Sequence, residues 1–276
     1  MGGDGPSPAV YFLSDYGTAD VFVGLVHAVL HRQAPGVPVV DLTHAVVPFD
    51  VTAGADALAR AVPWLGAGVV LAVVDPGVAT GRRGVAVAVD PGRADGPRWL
   101  VGPDNGLLAP AARILGGPIG ARALPGRSSF DGRDVFAPAA AHLVTGRRPD
   151  GLGEAVAVAS LSPGPDVPVD RSEVGLETTS VAHVDRFGNV QLRAGPDALD
   201  RLGVGPGDRL AVAVGGASPV VARRVVAFGD LADGGLGVMV DADGRLAVVL
   251  DRAAAAGRLL AGSPPGPVTV VLAPSD

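Results

Sequence analysis

The chain has 276 residues, with 22 Lys and Arg against 28 Asp and Glu, and no cysteine. A formal charge of −6 offers no basic footprint for nucleic acid, and the missing thiols exclude disulfide stapling, thiolate nucleophiles and Cys-ligated metal centres. With 41 Gly and 25 Pro but 48% hydrophobic residues, the composition is that of a turn-rich folded protein long enough for two domains.

The opening MGGDGPSP has no basic region followed by an apolar core, so a cytoplasmic chain without membrane partners is expected. Ala9 to Leu13 reads as a first strand, followed by a polar turn and a helical run from Asp20 to about Gln33, stopped by Pro35-Gly36. Val37 to Leu42 is a second strand, and Thr52 to Val62 a second helix. The continuous apolar run Val69 to Val74 has the pattern of a strand covered on both faces. Val85 to Val89 and Trp99 to Val101 add strands; Leu107 to Leu115 and Phe136 to Thr145 add helices; Ala123 to Phe130 is ambiguous. The alternation predicts an α/β domain whose mostly parallel sheet is flanked by helices.

Gly, Pro and acidic residues place a linker around residues 160 to 175. Beyond it come short Val-rich stretches with little helix: 178 to 184, 190 to 192, 209 to 214, 220 to 228, 238 to 240 and 245 to 250. These predict a smaller β-barrel-like domain. The expected division is an α/β catalytic domain over 1–165 and a β-barrel-like substrate-binding domain over 172–276.

The strongest chemical signal is VVDPGVATGRR, Val73 to Arg83, in which a buried strand ends in an acid and a glycine-rich turn closes on two arginines. Asp75 and Arg82 brought together there can position and polarise a small nucleophile without a metal. A structural ion pair clamping the turn fits the spacing equally, and the spacing does not say whether Arg82 or Arg83 faces a ligand. Asp104-Asn105-Gly106 precedes a helix and reads as an Asx turn or an anion-holding amide cluster. Asp131, Arg133 and Asp134 form another charged cluster, with Arg133-Asp134 readable as a local ion pair.

Asp15 stands at a strand end, suited to accept two vicinal ribose hydroxyls or to cap the next helix. Asp185 and Asn189 bracket Phe187, offering an acid and a bidentate amide beside an aromatic surface, or a plain β-turn. His27 and His31 are four residues apart without the Glu of a zinc-protease helix, so no metal role is expected for them. P-loop, nucleophile-elbow and dinucleotide fingerprints are missing.

These segments resemble the S-adenosylmethionine (SAM) hydroxide adenosyltransferase family, adenosine-forming SAM hydrolases related to the fluorinase and chlorinase enzymes. The resemblance runs through SDYGTADVFVGLVHAVL, VVDLTHAVVPFDVTAGA, VVDPGVATGRR, VGPDNGLLAP, FDGRDVFAPAAAHL and VDRFGNV, with a looser ending from Val240. It implies an α/β domain followed by a β-barrel-like domain, and a homotrimer with active sites between subunits. The implied reaction splits SAM, as substrate and without a cofactor, into adenosine and L-methionine by attack of water or hydroxide at the ribose C5′.

By the same resemblance, Asp75 and Arg82 match the first two members of the family's Asp-Arg-His constellation and Asp131 stands in place of its His. Asp15 matches the ribose-binding acid, Phe49 the position of a stacking Trp in the halogenases, and Asp185, Phe187 and Asn189 the methionine- and adenine-side motif. Retention of Asp75 and Arg82 favours hydrolysis over halide transfer. Three departures stand out: FDGRD for the usual Phe-His-Gly-Arg-Asp, Ser14 and Tyr16 for Thr and Phe, and Asp241-Ala242 for an Asn-Ser pair. An ionised Asp131 cannot donate as His does, which leaves a weakened adenosine or SAM binding protein as the alternative function and a SAM-dependent halogenase as a more distant one.

Overall fold

A computed structural model describes residues 7–92, 95–165, 170–231, 234–261 and 268–275. The chain divides into two compact units, 1–165 and 166–276. Of the expected linker, residues 166–169 lie outside the described residues.

The first unit runs β1 (Ala9–Ser14), α1 (Phe22–Gln33), β2 (Val39–Thr43), α2 (Val51–Ala61), β3 (Gly68–Val73), β4 (Gly84–Val89), β5 (Pro97–Pro103), α3 (Ala109–Ile114), β6 (Pro118–Leu124), α4 (Ala137–Val144) and β7 (Ala155–Val156). Its seven-stranded sheet has the order β2-β1-β3-β5-β4-β6-β7. β2, β1, β3 and β5 pair in parallel. β4, β6 and β7 extend them through antiparallel pairings, which makes the sheet mixed.

Buried side chains lie on both faces of the sheet, because its central strands carry apolar residues at successive positions. Val10, Phe12, Val69 and Leu71 pack with Val26 and Leu30 of α1 and with α4 on one face. Leu13, Val70 and Ala72 pack with Ala55 and Leu58 of α2 and with α3 on the other. Asp50 caps α2 by accepting from Ala53 N at 2.9 Å, and so fixes where the loop carrying Phe49 enters the helix.

β6 occupies Pro118–Leu124, only the end of which overlaps the ambiguous stretch Ala123 to Phe130. Between β6 and α4 the backbone makes a wide π-type turn over Gly132–Phe136, a geometry that recurs at functional sites.

The second unit runs β8 (Arg171–Glu173), β9 (Leu176–Val184), β10 (Val190–Leu192), α5 (Asp197–Arg201), β11 (Arg209–Val214), β12 (Val220–Arg224), β13 (Leu236–Val240), β14 (Leu246–Leu250), α6 (Ala255–Leu259) and β15 (Thr269–Pro274). The strand order is β10-β14-β13-β12-β11-β15-β9-β8, and a further β10–β9 pairing closes seven of these strands into a barrel. Val190, Leu192, Leu210, Val212, Val238, Leu246, Val248 and Leu272 fill its interior. Among the described residues no helix is long and apolar enough to cross a membrane.

Candidate active site

β1 and β3 are neighbours, but the chain leaves β1 toward β2 on one side and arrives at β3 from the other. The carboxyl ends of two strands that part in this way open a crevice in which α/β sheets bind ligands. Asp15 directly follows β1, and its amide donates to Val73 O at 3.3 Å. Asp75 lies two residues beyond the end of β3. The topology therefore delivers both acids to one crevice.

The turn after Asp75 folds back on itself. Thr80 Oγ1 donates to Gly77 O at 2.6 Å and accepts from Arg82 N at 3.3 Å, while Ala79 takes a positive φ of 61°. This closure returns Arg82 to Asp75: Nε donates to Asp75 Oδ1 at 3.1 Å and Nη2 to Asp75 Oδ2. Arg82 Nη2 also donates to Asp131 Oδ2 at 2.8 Å. One guanidinium thus bridges two carboxylates, and all three side chains are less than a tenth exposed. Arg82 also lies 5.4 Å from the centroid of the buried Phe136 ring, and Ser128 N holds Asp131 Oδ1 at 2.8 Å.

Burial pushes the Asp75 carboxyl above its usual range, and the Asp131 charge adds to this against the opposing pull of Arg82. Tyr16 is pushed up more strongly, by burial first and then by Asp15, Asp75 and Asp131. Its phenol stays protonated and remains a donor in a site otherwise rich in acceptors. Gly132 is required beside it, since a Cβ there would sit 2.1 Å from the Tyr16 oxygen.

Asp75, Asp131, Tyr16 and Gly132 floor a cleft of 250 Å³ lined further by Asp15, Phe22, Pro48, Phe49, Val78 and Phe130. Pockets that enclose a drug-sized ligand span roughly 300–1,000 Å³, so this cleft falls just below that range. Asp15 Oδ2 accepts from Phe49 N at 2.9 Å. Phe49 has a φ of 69° and is 70% exposed, its ring at the cleft.

The model of the SAM hydroxide adenosyltransferase N-terminal domain matches residues 10–153, and that of the C-terminal domain residues 179–263. The chain belongs to the SAM hydroxide adenosyltransferase family. It is 45% identical over 269 residues to an (R)-S-adenosyl-L-methionine hydrolase of Salinispora tropica, covering 95% of this chain and 96% of that protein. It is 41% identical to the hydrolase of the same name from Thermus thermophilus, over 89% and 93% of the two chains. A solved structure of a conserved Thermotoga maritima protein superposes with a TM-score of 0.83 at 30% identity, over 95% of this chain and 99% of that one.

In this member of the SAM hydroxide adenosyltransferase family, Arg83 turns away from Asp75. It pairs with Asp104 at 2.6 Å and reaches Ser160 Oγ at 3.2 Å. The alternatives left open by the double arginine are thereby separated: Arg82 holds the two acids that line the cleft, and Arg83 ties down the loop. Asn105 works as a turn residue, donating to Val74 O at 2.9 Å and accepting from Leu107 N at 3.1 Å. Arg133 and Asp134 form a local ion pair at 2.6 Å.

In the second unit the loop carrying Asp185, Phe187 and Asn189 closes on itself. Asp185 Oδ1 accepts from Phe187 N at 2.8 Å and Asn189 N at 2.9 Å, and Oδ2 accepts from Asn189 Nδ2 at 2.7 Å. Phe187 is left 76% exposed. Asp241, where the family pattern has Asn, accepts from Gln191 Nε2 at 2.5 Å through Oδ2 and from Asp243 N and Arg245 N through Oδ1. Sequence reasoning assigned no site role to Tyr16, Phe22 or Phe130. The three rings meet at centroid distances of 5.1 to 5.7 Å, and the aromatic residues within SDYG and FDGRD, with Phe22 at the start of α1, are the sequence signal for that wall.

Proposed function

We propose that this protein hydrolyses S-adenosyl-L-methionine to adenosine and L-methionine. The carrying observation is the single guanidinium of Arg82 bridging buried Asp75 and Asp131 at the end of β3, in the crevice that also holds Asp15 and Phe49. Asp75 accepts a proton from a water molecule whose oxygen bonds to the ribose C5′. The C5′–S bond breaks as this O–C5′ bond forms, the electron pair stays on sulfur, and methionine leaves as a neutral thioether. Arg82 holds both carboxylates in place, so the water meets a fixed acceptor. Asp131 replaces a donor by an acceptor, and the Tyr16 hydroxyl supplies the remaining neutral O–H beside it.

Asp15 spends one oxygen on Phe49 N and offers the other to a ribose hydroxyl, while the exposed Phe49 ring stacks on adenine. Phe187 and Asn189 supply a second aromatic and amide surface for the substrate, with residues 172–276 as the substrate-binding domain and 1–165 as the catalytic one. The assembly is a homotrimer with sites shared between subunits, and the substrate is the (R) sulfonium epimer named for the relatives.

The test is incubation of the purified protein with (R)- and (S)-SAM over a pH series, with Asp75→Ala as control and products separated by chromatography. Equal amounts of adenosine and methionine from the (R) epimer, lost in the control, are expected. SAM left intact throughout, together with tight calorimetric binding of adenosine or SAM, would replace hydrolysis by a binding role. Sedimentation at the monomer mass would remove the trimer.

A further inference from the structure

We propose that His27, Asp41 and His44 form a binding site for a zinc-class divalent cation, separate from the Asp75–Arg82–Asp131 cluster. His27 comes from α1, Asp41 from β2 and His44 from the residue after β2. Their ligand atoms all lie within 4.8 Å of one another. His27 Nε2 stands 2.8 Å and His44 Nε2 3.1 Å from the same oxygen, Asp41 Oδ1.

His44 is the residue that singles out a cation. It is 7% exposed, and its buried Nε2 faces Asp41 Oδ1, the same oxygen that His27 approaches. Its other nitrogen, Nδ1, is held 2.7 Å from the hydroxyl of Ser14, which is itself fully buried. The ring also packs edge-on to Phe12 at 4.6 Å between centroids. An imidazole fixed through one nitrogen and presenting the other is the arrangement that orients metal-bound histidines. Two imidazole nitrogens converging on one carboxylate oxygen form a cluster that a cation placed among them would satisfy at all three ligand atoms.

Two imidazole nitrogens and one carboxylate oxygen are a ligand set that suits zinc and neighbouring first-row ions. Ligands about 2.0 Å from a tetrahedral ion are about 3.3 Å apart, so the two short pairs need to open only slightly. The His27 and Asp41 side chains are 35% and 42% exposed, which leaves the fourth position to water. The bound ion ties α1 to β2, and through Ser14 it steadies the backbone that carries Asp15.

The test uses the full-length protein, stripped with a chelator and titrated with Zn²⁺ alone by calorimetry and with Co²⁺ followed by visible absorption. One ion per chain is expected, with the intense bands of four-coordinate cobalt. His27→Gln and Asp41→Asn should each weaken binding by at least about tenfold, as should Ser14→Ala, which removes the support of His44. His31→Gln, one helical turn from His27, should leave it unchanged. Circular dichroism shows that each variant is folded. No saturable uptake at micromolar zinc, or equal affinity in His27→Gln, would overturn the site.

Discussion

Arg82 gathers its carboxylates across gaps of 7 and 49 residues, whereas Asp185 spends both oxygens within four residues of itself. Both clusters combine acids with planar nitrogen groups, but they stand on different supports. The first is held by the ends of separate elements, so its geometry follows from the whole sheet. The second is held by its own turn, so its geometry survives with little help from the rest of the barrel. Loss of a member should therefore cost the first unit chemistry and stability together, and the second only local order.

Arg82→Ala is the strongest way to break that contrast. It leaves Asp75 and Asp131 buried without their shared cation, and removing one partner of a buried ion pair costs roughly 3–5 kcal/mol. Denaturant unfolding should show a loss of that size, and turnover should vanish. Asp75→Ala should lower kcat by about 10²–10⁴-fold, the range for loss of a positioned general base. Wild-type turnover in both variants would remove the cluster from the reaction.

The pH dependence sharpens the same point. Asp75 is held above the ordinary carboxylate range by burial first and by Asp131 second, so the acid limb of kcat should lie above the usual Asp value of about 3.9. Asp131→Asn removes a negative neighbour, lowers the Asp75 value and moves the acid limb to lower pH. The linkage has a definite sign: the native state binds this proton more tightly than the unfolded chain. Stability contributed by Asp75 is complete below the unfolded value and is lost as pH rises through the raised native one. An acid limb that stays in place in Asp131→Asn would show that the two carboxylates do not sense each other.

Much of this was legible in the sequence because it rests on local pattern. The unbroken run Val69 to Val74 marked β3, and the turn after Asp75 marked an acid near two arginines, of which the fold singles out Arg82. What escaped was tertiary. Strand direction leaves no mark on periodicity, so the antiparallel half of the first sheet could not be read. β6 is interrupted by Gly120 and Arg122, and β15 stood outside every stretch singled out as a strand. The bond from Arg82 to Asp131 needed the π-type turn at Gly132 to bring the acid inward. His27 is spaced four residues from His31 on its own helix, but its partner is Asp41 on β2, a contact that helical spacing does not reveal.

Asp185→Ala gives the intermediate effect. The carboxylate accepts from two backbone amides and one side-chain amide in a partly exposed loop, so its removal should cost roughly 1–2 kcal/mol. Thermal unfolding should fall accordingly with kcat nearly unchanged, and any effect on turnover should appear in KM. A collapse of kcat instead would place this acid with Asp75 and erase the distinction between the two clusters.

The smallest effect separates strain from function at Phe49. Its φ of 69° lies where side chains other than Gly cost roughly 1–2 kcal/mol, and its ring is 70% exposed, so little apolar burial repays that cost. Phe49→Gly relieves the backbone but adds freedom to the unfolded chain, worth roughly 0.5–1 kcal/mol in the opposite direction. Stability should therefore rise only slightly, while Phe49→Ala keeps the strain and should gain nothing. Both variants lose an aromatic surface worth about 0.5–1.5 kcal/mol, so both should raise KM for SAM by roughly two- to tenfold. If the strained backbone is retained for the ring, affinity falls alike in Gly and Ala while stability separates them. A marked destabilisation in Phe49→Gly with KM untouched would make this phenylalanine a structural support for Asp15 instead.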